Sequence, residues 1–453
     1  MIETTISYLN KLLETKQYTA IKHILTTINP ADAALLFEEM FEDNYDEKEF
    51  ILCFRLLPKD LAADTFAYMN PEMQKNLIST FSDKELREVL SQSFVDDTVD
   101  MIEEMPANVV ARILRNSNPD TRKAINEILK YPEDSAGSIM TIEYVSLRKE
   151  MTIEEAFVRI RRVGVNKETI YTCYVTENRK LIGLVTVKDL LISDSNCKIE
   201  DIMETNLIWV HTHEDKEVVA NMFNKYDFLA MPVVDNEQRL VGIVTFDDAI
   251  DVIQEENTED FSKMAAMEPI EDSYFRTSVF QHAKKRIVWL LVLMLSATLT
   301  GALITHYEEA FAAIPLLVSF IPMLMDTGGN CGSQSSTLII RGLALDEIKF
   351  GDIFRVIFKE LRISLIVSSV LAFVNAVRIY LMYDHNLALA VVIGLSLIGT
   401  VVLAEFVGCV LPLLAKKCKV DPAIMAAPLI TTLVDTCSIF IYFTIAMRVF
   451  QLA

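Results

Sequence analysis

"NRKLIGLVTVKDLL" (178–191) and "EQRLVGIVTFDDAI" (237–250) are two copies of one pattern, separated by 59 residues. Each copy reads as an apolar strand, a threonine and a helix that opens with an aspartate. The strand before each copy recurs as well, as "TCYVTEN" and "AMPVVDN". The repeat therefore predicts a doubled βαββα domain over residues 138–256, with its two halves at 138–197 and 198–256.

Residues 1–130 alternate turns with amphipathic helices, as in "NPADAALLFEEM" and "NPDTRKAINEIL". Asparagine, serine or aspartate at each start can cap a helix, and apolar residues recur every three or four positions. Such a series predicts an all-α superhelix. The first residues, "MIETTISYLNKLLETKQ", lack the continuous apolar run of a signal peptide, so we expect this domain to stay in the cytoplasm.

Residues 287–453 consist of apolar blocks joined by short polar links. A helical span needs about 20 residues, and five segments are long enough: 287–305, 312–340, 363–382, 387–415 and 423–447. Links rich in lysine and arginine alternate with links that lack them, which the positive-inside rule converts into an orientation. We predict an all-α domain of five transmembrane helices, with the N-terminus in the cytoplasm and the C-terminus outside. Residues 257–286 connect this domain to the repeat.

The chain has 63 acidic and 42 basic side chains and a net charge of −21. The acidic excess belongs to residues 1–283, with 52 Asp and Glu against 29 Lys and Arg, whereas residues 284–453 have 11 against 13. Nucleic-acid phosphates need basic partners, so we expect cations and no nucleic acid. The seven cysteines are scattered without C-x-x-C spacing, which predicts reduced thiols rather than disulfides or a zinc site.

Four ionisable side chains lie within the predicted spans, where each costs roughly 3 kcal/mol to insert: Asp326, Arg378, Glu405 and Asp435. Arg378 is close enough to a span end to reach the interface, Asp326 can cap a helix, and Glu405 can pair with an arginine or face a cavity. Asp435 lies mid-span, with no Lys or Arg within ten residues. We predict a cation site there; a protonated carboxyl, or one bonded to another helix, is the alternative.

"MDTGGNCGSQSST" (325–337) places small and polar residues in the second span. Small residues allow close helix packing, and a broken or loosened backbone would expose carbonyls to a water-filled route. We expect oxygen atoms from this stretch opposite Asp435, whose own helix face carries Thr431 and Thr432. Oxygen ligands suit a hard cation, and Mg²⁺ is commonly held through its waters by one or two carboxylates. One carboxylate per chain therefore predicts a homodimer with the pore on its axis.

The doubled βαββα unit resembles a tandem pair of CBS domains. This resemblance implies that four residues contact the ribose and phosphate of ATP or another adenine nucleotide: Thr186, Asp189, Thr245 and Asp248. A threonine before an aspartate in a helix is also an ordinary N-cap, so both interpretations stand.

The chain as a whole resembles the MgtE family of bacterial magnesium channels, most specifically in "GGNCGSQSSTLIIRGLAL" (328–345) and "DPAIMAAPLITTLVD" (421–435). The resemblance implies a multidomain membrane protein: an all-α superhelical N domain, an α/β tandem CBS pair, a connecting plug helix at about 262–283 and an all-α five-helix transmembrane domain. It also implies Mg²⁺ uptake across the cytoplasmic membrane. In this interpretation Asp435 is the pore carboxylate that coordinates hydrated Mg²⁺, and Asn330 belongs to the pore lining.

The same resemblance implies that cytosolic Mg²⁺ closes the channel by binding between acidic faces of the N domain, the CBS pair and the plug helix. The matching residues are Asp96, Asp100, Asp247, Asp251, Glu255, Glu256, Glu259 and Asp260. Charge runs are usually solvated helix faces, but a strong acidic excess in one part of the chain must be neutralised before its domains can close on each other.

Two other functions compete with transport of Mg²⁺. One is a membrane-anchored sensor, whose CBS pair detects nucleotide or Mg²⁺ without transport; polar stretches in two separate spans weigh against it, because an anchor does not need them. The other is a nucleotide-gated anion transporter, which a carboxylate in the pore disfavours. We expect no enzyme, because the sequence contains no nucleophile pattern, metal triad or phosphate loop.

Overall fold

The structure is a computed structural model that describes residues 2–42, 47–270, 274, 277–308, 314–345, 347–425 and 427–451. The chain divides into two compact units, Met1–Ile253 and Gln254–Ala453. Each unit has apolar cores of its own.

The described residues of the first unit begin with ten short helices whose apolar faces meet in one core. Several starts carry the caps that the sequence predicts: Asn70 Oδ1 accepts a hydrogen bond from Met73 N at 3.1 Å, and Ser82 and Glu85 form a reciprocal capping box. The predicted all-α N domain is confirmed. Its helices are α1 (Ile2–Glu14), α2 (Tyr18–Leu25), α3 (Pro30–Glu42), α4 (Glu47–Arg55), α5 (Lys59–Ala67), α6 (Pro71–Thr80), α7 (Asp83–Leu90), α8 (Val95–Glu103), α9 (Ala107–Asn116) and α10 (Pro119–Ile128).

Two three-stranded sheets of identical topology follow. In each, the first strand pairs parallel with the second, which pairs antiparallel with the third. The predicted doubled α/β pair is confirmed. Its elements are β1 (Val145–Leu147), α11 (Ile153–Val163), β2 (Thr172–Glu177), β3 (Lys180–Thr186), α12 (Val187–Ile192), α13 (Ile199–Ile202), β4 (Val210–His211), α14 (Lys216–Tyr226), β5 (Ala230–Val234), β6 (Leu240–Thr245) and α15 (Phe246–Met264).

The glycine in each copy of the repeated pattern has a packing reason. A Cβ on Gly183 would lie 2.7 Å from Met203 Sδ, and one on Gly242 would lie 2.6 Å from Met140 Sδ. Met140 leads into the first half and Met203 into the second, so the segment that opens each half packs on the sheet of the other half. A Cβ at either glycine would force the methionine to move, and at Gly242 it would also lie 2.8 Å from the backbone oxygen of Thr141.

Five long helices lie in the part of the second unit that the structure describes. Four segments are long and apolar enough to cross a membrane: Val279–His306, Ile353–Met382, Leu387–Lys417 and Pro422–Phe450. The helix expected as the second span, Ile321–Ala344, has 24 residues and is therefore about 36 Å long at 1.5 Å per residue. It is more polar than the four segments named above. The helices are α16 (Val279–His306), α17 (Ile321–Ala344), α18 (Ile353–Met382), α19 (Leu387–Lys417) and α20 (Ala427–Phe450).

The polar stretch 325–337 lies inside α17, which is a continuous α-helix. The expectation of a broken or loosened backbone is therefore wrong. Two of its hydroxyls bond within the helix: Thr327 Oγ1 donates to Met323 O and Ser333 Oγ to Gly329 O, both at 2.7 Å. The small residues serve close packing, which tolerates helical glycine because neighbouring helices fill the space.

Glycine contacts give the directions of the membrane helices. A Cβ on Gly328 would lie 2.7 Å from Thr400 Cγ2 and 2.8 Å from Val434 Cγ1, and one on Gly332 would lie 2.7 Å from Ile430 Cγ2 and 3.1 Å from Ala404 O. Moving forward along α17 therefore moves forward along α19 and backward along α20. Five spans that alternate in direction require this parallel and antiparallel pairing.

The connecting segment has other helix bounds than expected. A helix was predicted at about 262–283, but α15 ends at Met264 and α16 begins at Val279; residues 271–273 and 275–276 lie outside the described residues. α15 starts at the second Thr–Asp cap and continues for 19 residues, so the connecting helix is an extension of the CBS pair. Beyond it, Glu268 N donates to Lys285 O at 3.1 Å, which attaches the segment to α16.

Candidate functional site

Three carboxylates from separate elements of the first unit, Asp96, Glu143 and Glu168, form what we call the acidic cluster. One oxygen of each lies within 4.8 Å of the others. Asp96 is in the first turn of α8, Glu143 precedes β1 and Glu168 precedes β2. Val95 N donates to Glu143 Oε2 at 3.2 Å, which attaches the start of α8 to the first CBS half.

Asp96 of the acidic cluster is buried, Glu143 and Glu168 are half-buried, and the cluster is short of positive charge. Burial, reinforced by Asp97 and Glu143, raises the pKa of Asp96 to about 7. Burial and then Asp96 raise the pKa of Glu168 to about 9, and burial raises that of Glu143, although Lys167 opposes this. Within the described ranges, Asp96 Oδ1 and Glu168 Oε2 have no hydrogen-bond partner. Unpartnered, convergent carboxylate oxygens suit a hard divalent cation.

The first turn of α15 adds more acid beside α8. Burial and then Asp96 raise the pKa of Asp248 to about 7, and burial and then Asp248 raise that of Asp100 to about 8. Asp247 also interacts with Glu168. The structure therefore brings Asp96, Asp100 and Asp247 of the predicted sensing set into one region. Asp251, one turn further along α15, is exposed.

The remaining predicted sensing residues lie on the part of α15 in the second unit: Glu255, Glu256, Glu259 and Asp260. Lys263 Nζ lies 2.6 Å from Glu259 Oε1 and 2.6 Å from Asp421 Oδ2. An ammonium therefore already bridges two carboxylates at this place, so Glu259 has a cationic partner without a metal.

The two Thr–Asp pairs predicted to contact nucleotide form N-caps. Thr186 Oγ1 donates to Asp189 Oδ2 at 2.5 Å, and Asp189 N donates to Thr186 Oγ1 at 3.2 Å. Thr245 N donates to Asp248 Oδ2 at 3.4 Å and its hydroxyl donates to the same oxygen. The capping role accounts for these contacts, and nucleotide binding at the pairs stays a prediction.

Asp435 lies in the middle of α20, partly buried. Among the residues that the structure describes, its Oδ1 has no hydrogen-bond partner, and it interacts electrostatically with Asp326 of α17. Asp326 and Asn330 are both exposed and one turn apart. The antiparallel register of α17 and α20 places residues 326–330 level with residues 432–436.

The two threonines of the predicted pore lining use their hydroxyl protons locally. Thr431 Oγ1 donates to Ala427 O at 2.8 Å and Thr432 Oγ1 to Pro428 O at 2.9 Å. Their oxygen lone pairs stay available to a cation or its waters. Thr431 also packs against Gly329, whose missing side chain leaves that space.

Sequence reasoning missed Glu143 and Glu168 of the acidic cluster. Both are single acids in ordinary surroundings, "TIEY" and "NKETIY". No local pattern distinguishes them from solvated surface acids. Their position before β1 and β2, which are neighbours in one sheet, is the one signal that would have placed them together.

Comparisons with known proteins agree along the whole chain. The MgtE divalent cation transporter family model matches residues 321–445, the MgtE intracellular N domain matches 28–134, and the CBS domain matches 136–195 and 199–255. The magnesium transporter MgtE of Thermus thermophilus is 35% identical over 97% of this chain and 97% of its own. That of Bacillus subtilis is 33% identical over 96% and 95%.

Solved structures support the same assignment. The cytosolic domain of the Mg²⁺ channel MgtE in complex with ATP is 35% identical, with a TM-score of 0.51, over 55% of this chain and 99% of that one. The soluble part of a magnesium transporter is 28% identical, with a TM-score of 0.52, over 56% and 99%. The identities and coverage of the curated relatives reach from the helical N domain to the last span, and the chain belongs to the MgtE family of divalent cation transporters.

Proposed function

We propose that this protein is a Mg²⁺ channel that admits Mg²⁺ through the cytoplasmic membrane, with its N-terminus in the cytoplasm and its C-terminus outside. The observation that supports it most is Asp435: a mid-span carboxylate with an oxygen that has no hydrogen-bond partner among the described residues, beside the tightly packed helix α17. Intramembrane acids of this kind mark ion pathways. Relatives at 33–35% identity carry the name magnesium transporter. The protein is not an enzyme in this proposal.

The channel acts as a homodimer. Asp326 and Asn330 lie on an exposed face of α17 near Asp435. One carboxylate from each of two chains on a symmetry axis provides two, which is a usual number for hydrated Mg²⁺. The site then selects an ion by the size and charge of its hydrated form.

Cytosolic Mg²⁺ closes the channel through the acidic residues of the first unit and α15. Neutralising the acidic cluster stabilises the arrangement of α8 against the CBS pair, because its repelling carboxylates then share a cation. Moving a gate from 1:99 to 99:1 requires about 5.5 kcal/mol of differential binding, which about four ions at ~1.4 kcal/mol each supply.

The CBS pair binds an adenine nucleotide in this proposal. A related cytosolic domain was solved in complex with ATP. Here Thr186, Asp189, Thr245 and Asp248 lie at the carboxyl ends of β3 and β6, where each pair caps the next helix. A helix N-terminus favours phosphate, so a nucleotide beside these caps gains from the same dipole.

Mg²⁺ entry into liposomes tests the transport proposal. Asp435→Asn removes the pore charge and is expected to lower the flux at least tenfold at low Mg²⁺ on the cytoplasmic face. The matched control is Glu308→Gln, the same chemical change at an exposed residue after α16, which should conduct as wild type. Flux that is undiminished in Asp435→Asn removes that residue from the pathway. No flux in the wild type favours the membrane-anchored sensor instead.

A further inference from the structure

Two buried carboxylates of the membrane unit lie away from Asp435. Glu360 of α18 is 7% exposed and Glu405 of α19 is 5% exposed. Their charges interact with each other. Neither forms a salt bridge with a lysine, arginine or histidine in the described part of the chain.

Helix register places the two carboxylates at one level. Gly394 of α19 meets Ala372 of α18, since a Cβ on Gly394 would lie 3.9 Å from Ala372 O. The two helices are consecutive spans joined by a short link, so they run antiparallel. Glu405 is 11 residues after Gly394, and Glu360 is 12 residues before Ala372. At 1.5 Å per residue the two positions differ in height by about 1.5 Å.

A serine hydroxyl from a third helix joins the pair. Ser335 Oγ of α17 donates to Glu360 Oε2 at 2.7 Å and lies 3.3 Å from the backbone oxygen of Glu405. The hydroxyl has a single proton, so it can satisfy only one of these acceptors fully. Glu405 Oε2 is buried and has no hydrogen-bond partner among the residues that the structure describes.

Glu360, Glu405 and Ser335 therefore offer oxygen ligands to a cation, and no positive charge of the described residues neutralises the two carboxylates. Two buried carboxylates whose charges repel each other do not readily ionise together without compensation, and a divalent cation would neutralise both charges at once. The polar groups of these three residues offer only oxygen atoms: two carboxylates, the Ser335 hydroxyl and the Glu405 backbone carbonyl. The thiols of Cys331 and Cys409 lie nearby, but within the described residues they do not complete a three-ligand group with the carboxylates. The set therefore suits a hard cation.

We propose that Glu360, Glu405 and Ser335 hold one hard divalent cation inside the membrane helices, at a second site separate from Asp435. Ser335 is nine residues beyond Asp326 on α17, which corresponds to about 13.5 Å along the helix axis. The two sites are therefore at different depths. This inference stands on its own contacts and does not require that Asp435 conduct.

Anomalous scattering from Mn²⁺ tests the site in crystals of the full-length protein. We expect an anomalous peak between Glu360 and Glu405 in the wild type and also in Asp435→Asn, because Asp435 is not a ligand. In Glu360→Gln/Glu405→Gln this peak should disappear while Mn²⁺ peaks elsewhere in the protein persist. Titration of free Mn²⁺ by electron paramagnetic resonance should then count one bound ion fewer per chain than in the wild type or in Glu308→Gln.

Two results would overturn the proposal. One is a wild-type map with Mn²⁺ elsewhere and none between the two glutamates, which means that protons neutralise the pair. The other is a peak that survives in the double amide variant. If that variant fails to fold, the wild-type and Asp435→Asn maps still decide. Loss of flux in Asp435→Asn with the peak retained separates this site from the transport proposal.

Discussion

The acidic cluster and the region around Asp435 both present carboxylate oxygens that lack partners among the described residues, but they are built from different contacts. The acidic cluster collects acids from a helix start and two segments that precede strands. Asp435 lies on a helix whose neighbour approaches through Gly328, Gly329 and Gly332. We expect the first arrangement to adjust when a cation binds or leaves, because three separate segments supply its carboxylates. The second is held in place by packing, as a selective pore requires.

The largest effect is expected where the glycines of α17 pack closely against the neighbouring helices. In Gly332→Ala the new Cβ would lie 3.1 Å from Ala404 O, a backbone atom, and 2.7 Å from Ile430 Cγ2. We expect a loss of roughly 1–3 kcal/mol in the free energy of unfolding, because overpacking forces the helices apart, together with loss of flux. Thermal unfolding in detergent and liposome flux measure both.

Gly301→Ala is the matched control, because nothing lies within 4 Å of a Cβ at that exposed position of α16. It should be neutral or slightly stabilising, since alanine favours helix. Equal destabilisation of the two variants would contradict the view that close packing explains the glycines of α17.

For the acidic cluster we expect an effect on the regulation of the channel by Mg²⁺. Asp96→Asn/Glu168→Gln removes two carboxylates of the acidic cluster without changing their size. The first unit then loses a cation site, so closing the channel should require on the order of tenfold more cytoplasmic Mg²⁺, the loss of about one ion's 1.4 kcal/mol. Flux at a series of cytoplasmic Mg²⁺ concentrations measures the shift, with exposed Glu14→Gln as the control. An unchanged Mg²⁺ dependence would remove the acidic cluster from the gate.

The acidic cluster should also make the stability of the first unit depend on pH. The pKa of Asp96 is raised to about 7, mainly by burial, from an ordinary value of 3.8. The folded state therefore binds this proton more tightly than the unfolded state, and stability without metal falls as pH rises from about 4 to 7, by at most ~1.4 kcal/mol per pH unit for one group.

Hydrogen exchange of the α8 amides checks this prediction. In metal-free buffer, protection should be greater at pH 6 than at pH 8 once the intrinsic exchange rate is corrected for. Mg²⁺ should restore protection more at pH 8, where the carboxylates are ionised. Protection that increases with pH in metal-free buffer would contradict a repelling cluster.

The smallest effect is expected at Lys263. Its ion pairs with Glu259 and Asp421 are partly exposed, and such pairs contribute about 0–1 kcal/mol. Lys263→Met should therefore change stability little. It should also free two carboxylates for Mg²⁺ and lower the inhibitory Mg²⁺ concentration a few fold. The comparison variant is Lys284→Met at an exposed position. A higher inhibitory concentration in Lys263→Met would show that the ammonium itself closes the gate.

Much of the fold was predictable because its signals are local. The repeated strand–threonine–helix pattern predicted the doubled sheets, and an asparagine, serine or aspartate predicted helix starts, as Ser82 does for α7. The helicity of 325–337 was not predictable from composition. Three glycines and several hydroxyls are typical of a loosened backbone, whereas here neighbouring helices fill the space that the glycines leave.

The amino-acid sequence was enough to predict the order of domains, the periodicity of helices and strands, the acidic first part and the isolated mid-span acid Asp435. Long-range packing was needed to show which other acids lie in one region: Glu143 and Glu168 with Asp96, and Glu360 with Glu405. The difference comes from the distance along the chain over which each signal extends. Periodicity and capping depend on residues within a few positions of one another, whereas a shared cation site depends on long-range packing that brings together single carboxylates from distant segments.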